Sequence, residues 1–269
     1  MSDKIITIGA DPELFVSVDG TMVSAFGLVG GTKYAPQLVD KGAVQVDGMA
    51  LEFNIDPAKT EDEFLTNVTT VLGELRKLIP AEYNFEIVPV AEFGADYIQA
   101  QPKLAKEMGC EPDFNGYTGE VNEKPNAEAP FRTAAGHVHI GVEGGLTDLE
   151  QMQLVVLCDL LLGLPSVSYD TNAKRRELYG KAGCYRPKSY GIEYRTLSNL
   201  WVGDEELTKL TFQRAKKAVE LLPRFEEVIT LVEKHLGHDY TLIPTIIDNS
   251  LAPTARKLHA TLSKEFNYV

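Results

Sequence analysis

Apolar and polar residues alternate along the first part of the chain, and further on the apolar ones recur at three- and four-residue intervals. Residues 4–9 and 14–18 read as β-strands, with Asp19-Gly20 a hairpin-type turn after them. Residues 44–46 and 50–54 read as a second strand pair around Asp47-Gly48. Thr60 and Glu63 then form a capping-box signature, and Phe64, Val68, Val71, Leu72, Leu75 and Leu78 follow at helical spacing until Pro80. Residues 84–89 read as a strand. Residues 99–130 carry Pro, Asn, Gly and acids with little periodicity, which is long for a connection inside a compact domain, so they read as a lid or specificity loop.

The second half predicts a strand at 136–141, a helix capped by Thr147 and Glu150 and running to Leu164, and a strand at 191–197. Two amphipathic helices follow, 205–222 and 224–236, parted by Pro223, with Gly237 at a C-cap position and the C-terminal helical region spanning 204–269. No internal repeat is present. The pattern is neither regular βαβ nor all-β, and it predicts a single α+β domain over residues 1–269, with helices packed on one face of a largely antiparallel sheet.

Composition narrows the function classes. With 44% hydrophobic residues in 269, the chain can bury a core without disulfides or structural metal. Lys and Arg number 26 against 39 Asp and Glu, and a net charge of −13 disfavours nucleic acid and anionic membranes as partners. Cys110, Cys158 and Cys184 are an odd number without a CxxC pair, which fits a reducing cytoplasm. The longest apolar run, 152–164, contains Asp159 and is short for a membrane span.

The polar residues inside the strands carry the candidate chemistry. Residues two apart in a strand share a face, which groups Asp11, Glu13 and Phe15, then Glu52 with Asn54, His137 with His139, and Glu193 with Arg195. Each pair has an ordinary reading: a solvated strand face for Glu52 and Asn54, a hydrogen-bonded pair for the histidines, a surface ion pair for Glu193 and Arg195. Together, three carboxylates and two imidazoles on strand faces favour an oxygen-rich divalent metal site, Mg²⁺ or Mn²⁺. Residues 174–188 hold Lys174, Arg175, Arg176, Lys181, Arg186 and Lys188 against the single acid Glu177. With Gly180, Gly183 and Gly191 interspersed, this segment has the electrostatics of phosphate binding, Arg186 above all, whereas Lys174 and Lys188 read as solvated.

In sequence order, Asp11-Pro-Glu13-Leu-Phe15, Glu52-Phe-Asn54, Gly136-His-Val-His139 and Glu193-Tyr-Arg195 resemble the glutamine synthetase and glutamate–cysteine ligase superfamily of carboxylate–amine ligases. The surroundings, with Arg132, Tyr179-Gly-Lys-Ala-Gly-Cys-Tyr-Arg186 and Tyr190 to Asn199, are closer still to its amidoligase branch from phages and bacteria, the carboxylate–amine ligases of type 2. The resemblance implies a curved sheet with helices on its outer face, ATP and Mg²⁺ (or Mn²⁺) as cofactors, and a bacterial or phage-infected host cytoplasm. It implies that Glu13 and Glu52 hold a metal near the acceptor, and that Asp11, His137 and Glu193 hold one at the ATP phosphates. Arg132, Arg186 and Arg195 become catalytic contacts to phosphate or substrate; Arg176, Lys181 and His139 join Arg186 and Arg195 around the nucleotide, with Asn54 and His139 orienting neighbours. Asp11 stands where the superfamily usually has Glu, and Asp47 is the candidate for a further acidic ligand.

The implied activity is an ATP-dependent, ADP-forming ligase that joins a small-molecule, peptide or protein carboxylate to an amine through an acyl phosphate. A divalent-metal hydrolase is the alternative from the residues alone, although it gives no use to the basic segment. A non-catalytic, ligase-derived binding module is the third reading.

Overall fold

The structure, a computed structural model, describes residues 4–106, 112–123 and 129–269. Within the 99–130 loop, residues 107–111, Cys110 among them, and 124–128 lie outside the described residues. The strands are β1 (Ile6–Val18), β2 (Thr21–Val23), β3 (Gln37–Val39), β4 (Gly42–Asp47), β5 (Ala50–Ile55), β6 (Asn84–Glu86), β7 (Val90–Glu92), β8 (Phe114–Asn115), β9 (Phe131–Thr133), β10 (Gly136–Val142), β11 (Cys184–Lys188) and β12 (Gly191–Tyr194). The α-helices are α1 (Glu61–Leu78), α2 (Ala95–Ala100), α3 (Lys103–Lys106), α4 (Asp148–Cys158), α5 (Leu164–Ser166), α6 (Ala173–Leu178), α7 (Glu205–Leu221), α8 (Phe225–Leu236), α9 (Ile243–Asp248) and α10 (Ala252–Phe266).

The main sheet is open and runs β3-β4-β5-β1-β10-β12-β11-β8, with β2 and β6 on β1 and every described pairing antiparallel. The α+β expectation holds. The two opening strands turn out to be one of 13 residues. Pro12, which lacks an N–H, sits where β1 leaves its ladder with β10 and meets β5, so no sheet hydrogen bond is lost there. Asp19 and Gly20 follow with φ of 50° and 74°, the left-handed pair that a tight hairpin needs.

Alternation in β1 decides the layers. Ile8, Ala10, Leu14 and Val16 are buried in the main core with α1, α4 and α7, and Asp11, Glu13 and Phe15 point to the opposite face. Phe64 of α1 locks that core, stacking on Trp201 at 5.8 Å and meeting Phe212 at 5.7 Å. Thr60 caps α1 by accepting from the Glu63 N–H, and Thr147 and Glu150 complete a capping box on α4.

The helix at Thr147 continues beyond α4 through a π-turn, Asp159–Gly163, into α5. Asp148–Ser166 is therefore long and apolar enough to cross a membrane by composition, but 72% of it is buried inside the protein, as a core helix would be. The π-turn aims Asp159 at the sheet, where it accepts from Tyr194 Oη at 2.6 Å and Tyr117 Oη at 3.0 Å. Burial pushes the Asp159 carboxyl up to about 7.

Part of the loop expected over 99–130 is regular among the described residues. It includes the end of α2, all of α3, and the segment 112–123, where β8 pairs with β11. Elements this short leave no periodicity to read. The expected strands 84–89 and 191–197 are shorter, ending at Glu86 and Tyr194.

Because Phe64 is fully buried between α1, Trp201 and Phe212, Phe64→Ala should lower unfolding free energy by about 3–5 kcal/mol in urea denaturation followed by circular dichroism. A loss below about 1 kcal/mol would mean that this aromatic cluster does not anchor α1.

Candidate active site

The face of the sheet opposite the helices forms a cleft of about 580 Å³. Its charged floor follows from strand register. Glu13 lies opposite Glu52, which in turn lies opposite Gln45; Asp11 lies opposite His137; His139 lies opposite Glu193, and Glu193 opposite Arg186. Arg132, Asp47, Asn54, Lys188 and Arg195 also line the cleft. Phe15 and Met49 also line it and pack into small apolar clusters with Ala91, Ala134, Ile98 and Phe93.

Ten of the residues singled out in the sequence thus meet in one place: Asp11, Glu13, Asp47, Glu52, Arg132, His137, His139, Arg186, Glu193 and Arg195. Two do not. Arg176 is buried away from the cleft, donating to the Asp170 carbonyl at 3.3 Å and to Ser250 Oγ at 3.0 Å beside the Asp170 carboxylate. Lys181 is exposed on the loop before β11, outside the lining. The basic segment therefore divides, and of its basic residues only those of β11, Arg186 and Lys188, line the cleft. Gly180, Gly183 and Gly191 serve internal packing, against Arg175, Tyr117 and the Ile140 carbonyl.

Lys188 corrects the expectation in the other direction. It lies two residues beyond Arg186 on the same strand face, and its Nζ meets Glu193 Oε2 at 2.8 Å. Lys174 remains at the surface, paired with Glu92 and set over the Phe131 ring. Gln45, Lys33, Tyr179 and Tyr190 were not anticipated. Period-2 reading of β4 from Asp47 would have found Gln45; the tyrosines and Lys33 sit on loops that carry no such signal.

The acids and histidines gather into two groups. Glu13, Asp47 and Glu52 offer ligand atoms within 4.8 Å of one another, and so do Asp11, His139 and Glu193. Burial and the neighbouring Asp47 carboxylate push Glu13 up to about 8, although its Oε2 accepts from the Ala135 N–H at 2.8 Å. Burial and adjacent acids likewise raise Asp47 and hold Glu52 well above the usual carboxylate range. Burial and Asp11 raise Glu193 against the pull of His139 and Arg186.

Both histidines reach the second group. His137 Nδ1 lies 3.3 Å from Asp11 Oδ1 and 3.8 Å from Glu193 Oε1, and His139 completes the group with Asp11 and Glu193. Burial works against its protonation, but the Asp11 carboxylate, 3.1 Å from its Nε2, outweighs it and raises the imidazole. Tyr190 Oη meets the His139 Nδ1 at 2.5 Å. His137 is 4% exposed, and burial with the Arg195 guanidinium pushes it down to about 3, so it is neutral. It lies 3.4 Å from Arg195 Nη1 and 3.5 Å from Tyr179 Oη. Although burial opposes it, His139 and His137 together hold Asp11 well below the usual range.

A divalent cation fits this donor set. Asp11 Oδ1 and His139 Nε2 are buried with only ion-pair contacts, to His137 Nδ1 at 3.3 Å and Asp11 Oδ2 at 3.1 Å, and the acids repel one another unless a cation stands between them. Oxygen-rich groups with one imidazole and no thiolate suit Mg²⁺ or Mn²⁺.

Arg132, His137, His139, Arg186, Glu193 and Arg195 fall inside a match to a known family. Residues 128–236 match the family model described as phage phiEco32-like COOH.NH2 ligase-type 2. Asp11, Glu13, Asp47 and Glu52 lie outside the matched residues. Among solved structures, one titled as a novel glutamine synthase homolog matches at 12% identity and a TM-score of 0.36, over 96% of this chain and 68% of that one. No curated protein matches the chain.

Glu13 gives a pH test. A carboxyl raised to about 8 stabilises the fold in its neutral form, so that contribution is full in the ordinary carboxylate range and is lost as pH rises through about 8. With chelator present, wild-type stability should fall between pH 5 and pH 8.5, and Glu13→Gln should remove on the order of 1–3 kcal/mol of that fall. Urea titrations at the two pH values check it; an unchanged slope would show that Glu13 is ionised throughout.

Proposed function

We propose that the chain is an ATP-dependent, ADP-forming ligase that activates a carboxylate as an acyl phosphate and passes it to an amine. The observation that carries this reading is that two acid-rich groups share one cleft with Arg186, Lys188 and Arg195. Acids without basic neighbours suit hydrolysis by an activated water; the basic row beside them suits a substrate that brings its own phosphates.

A carboxylate is a poor acyl donor because its oxygen is a poor leaving group. In the first step a carboxylate oxygen attacks the γ-phosphorus and ADP departs. In the second, the amine nitrogen attacks the acyl carbon, and inorganic phosphate leaves with that same oxygen. Divalent cations held by Glu13, Asp47 and Glu52 and by Asp11, His139 and Glu193 would supply charge neutralisation for phosphate and carboxylate.

The chain's own side chains do the rest. Arg186 and Lys188, now paired with Glu193, are placed to turn to phosphate oxygens, and Arg195 adds a third fixed positive charge. Neutral His137 supports Arg195 without adding charge. Phe15 and Met49 give the cleft an apolar part of its lining, which favours excluding water from an acyl phosphate.

Replacing Arg186 or Arg195 by Ala should weaken Mg·ATP binding or phosphoryl transfer by about 2–5 kcal/mol, read by calorimetry and turnover. Unchanged affinity and turnover in both variants would return Arg195 to a purely structural ion pair.

The mechanism has an isotopic signature. With a competent acid and amine, ¹⁸O in the carboxylate should appear in the released phosphate, with one amide and one ADP formed per ATP. Release of AMP and pyrophosphate would overturn the acyl-phosphate route. Hydrolysis of a substrate without nucleotide would favour the metal hydrolase, and nucleotide binding without turnover would favour the binding module.

A further inference from the structure

Arg195 is held from two sides, and one side lies outside the cleft. Inside, its Nη1 bonds Glu193 and lies beside His137 Nδ1, while the guanidinium sits 5.2 Å from the centre of the Tyr179 ring. Outside, its Nε meets Asp113 Oδ2 at 3.3 Å. Asp113 does not line the cleft and belongs to the segment 112–123 that precedes and includes β8.

The acid is fixed before it meets the arginine. Asn122 donates from Nδ2 to Asp113 Oδ1 at 3.1 Å and from its backbone N–H to the Asp113 carbonyl at 2.9 Å. The segment is anchored by β8 on β11, by the Gly116 N–H on the Gly183 carbonyl at 2.8 Å, and by Tyr117 on the buried Asp159. Both Asp113 oxygens are thus occupied, one by the segment and one by Arg195.

We infer that Asp113 is the positioning residue for Arg195: it holds the guanidinium in the cleft wall when Glu193 is drawn to another partner. Glu193 is shared among Arg186, Lys188, Arg195 and the acidic group with Asp11 and His139. Any cation or phosphate entering the cleft redistributes those contacts. An arginine tied only to Glu193 would be released at that moment, whereas Nε on Asp113 keeps the planar fork in one orientation. This role rests on the reading of Arg195 as a phosphate contact.

The test uses the full chain, Mg·ATP as probe, and Asp113→Asn, which keeps size and removes charge. ATP affinity by calorimetry should fall about tenfold, the melting temperature should stay close to wild type, and Asp113→Glu should recover part of the loss. In an Arg195→Lys background, Asp113→Asn should cost nothing further. The ¹⁵N-detected Arg195 Hε signal, assigned by its disappearance in Arg195→Lys, should exchange with water faster in Asp113→Asn. Wild-type affinity in Asp113→Asn together with a weakened Arg195→Lys overturns the positioning role. An equal loss in the Arg195→Lys background also overturns it, since Asp113 would then act through the fold. If the wild type binds no Mg·ATP, or Arg195→Lys binds it normally, the phosphate reading of Arg195 fails, and Hε exchange alone then decides whether Asp113 holds the side chain.

Discussion

Like charges crowded on a buried surface are the constraint around which this molecule is arranged. The antiparallel register of β1 with β5 sets Glu13 against Glu52, and its register with β10 sets Asp11 against His137. A shift of one residue in either ladder would turn those acids into the helical core and the core residues out. The apolar alternation of Ile8, Ala10, Leu14 and Val16 forbids that shift, so burial on one face enforces electrostatic strain on the other.

Much of the surrounding structure offsets that strain with fixed dipoles and cations. Arg175 is fully buried and donates to the Ala134, Thr196 and Leu197 carbonyls. The Ala134 carbonyl belongs to the same peptide whose N–H, on Ala135, reaches the Glu13 carboxyl. One peptide group therefore links a buried guanidinium to a cleft acid, polarised in the direction that favours negative charge on Glu13. The Asn199 side chain holds the Glu13 carbonyl from behind. The pattern continues at Arg195, where an acid outside the cleft balances the cation inside it.

The strand-borne part of the site was legible because a strand shows its faces in the sequence. Asp11 with Glu13, Glu52 with Asn54, and His137 with His139 could be grouped by counting in twos, and the resemblance set them in order. Counting cannot show depth. His137 and His139 share a face and both reach Asp11, yet one sits against Arg195 and the other beside Tyr190, because the rows they occupy have different neighbours across the sheet. Basic residues on α6 and the loop were misread for a related reason. Arg176 has its needs met by Asp170 and Ser250, contacts between segments that no local pattern links. Asp113 was hidden in a stretch whose elements are too short for periodicity, and its significance appears only with Arg195 beside it.

The position of β1 has a consequence for how the chain comes together. Ile6–Val18 is an interior strand flanked by β5 and β10, and β10 is brought to it from far along the sequence. A chain emerging from the ribosome can pair β1 with β5 early, but the other edge of β1 must wait until Gly136–Val142 and then Gly191–Tyr194 are available. During that interval the alternating apolar row on β1 and its unpaired backbone edge are open to other chains. The acids at Asp11 and Glu13 put charge on the other face of that strand while they are still solvated. The same residues that later crowd the cleft thus act as gatekeepers against aggregation during synthesis.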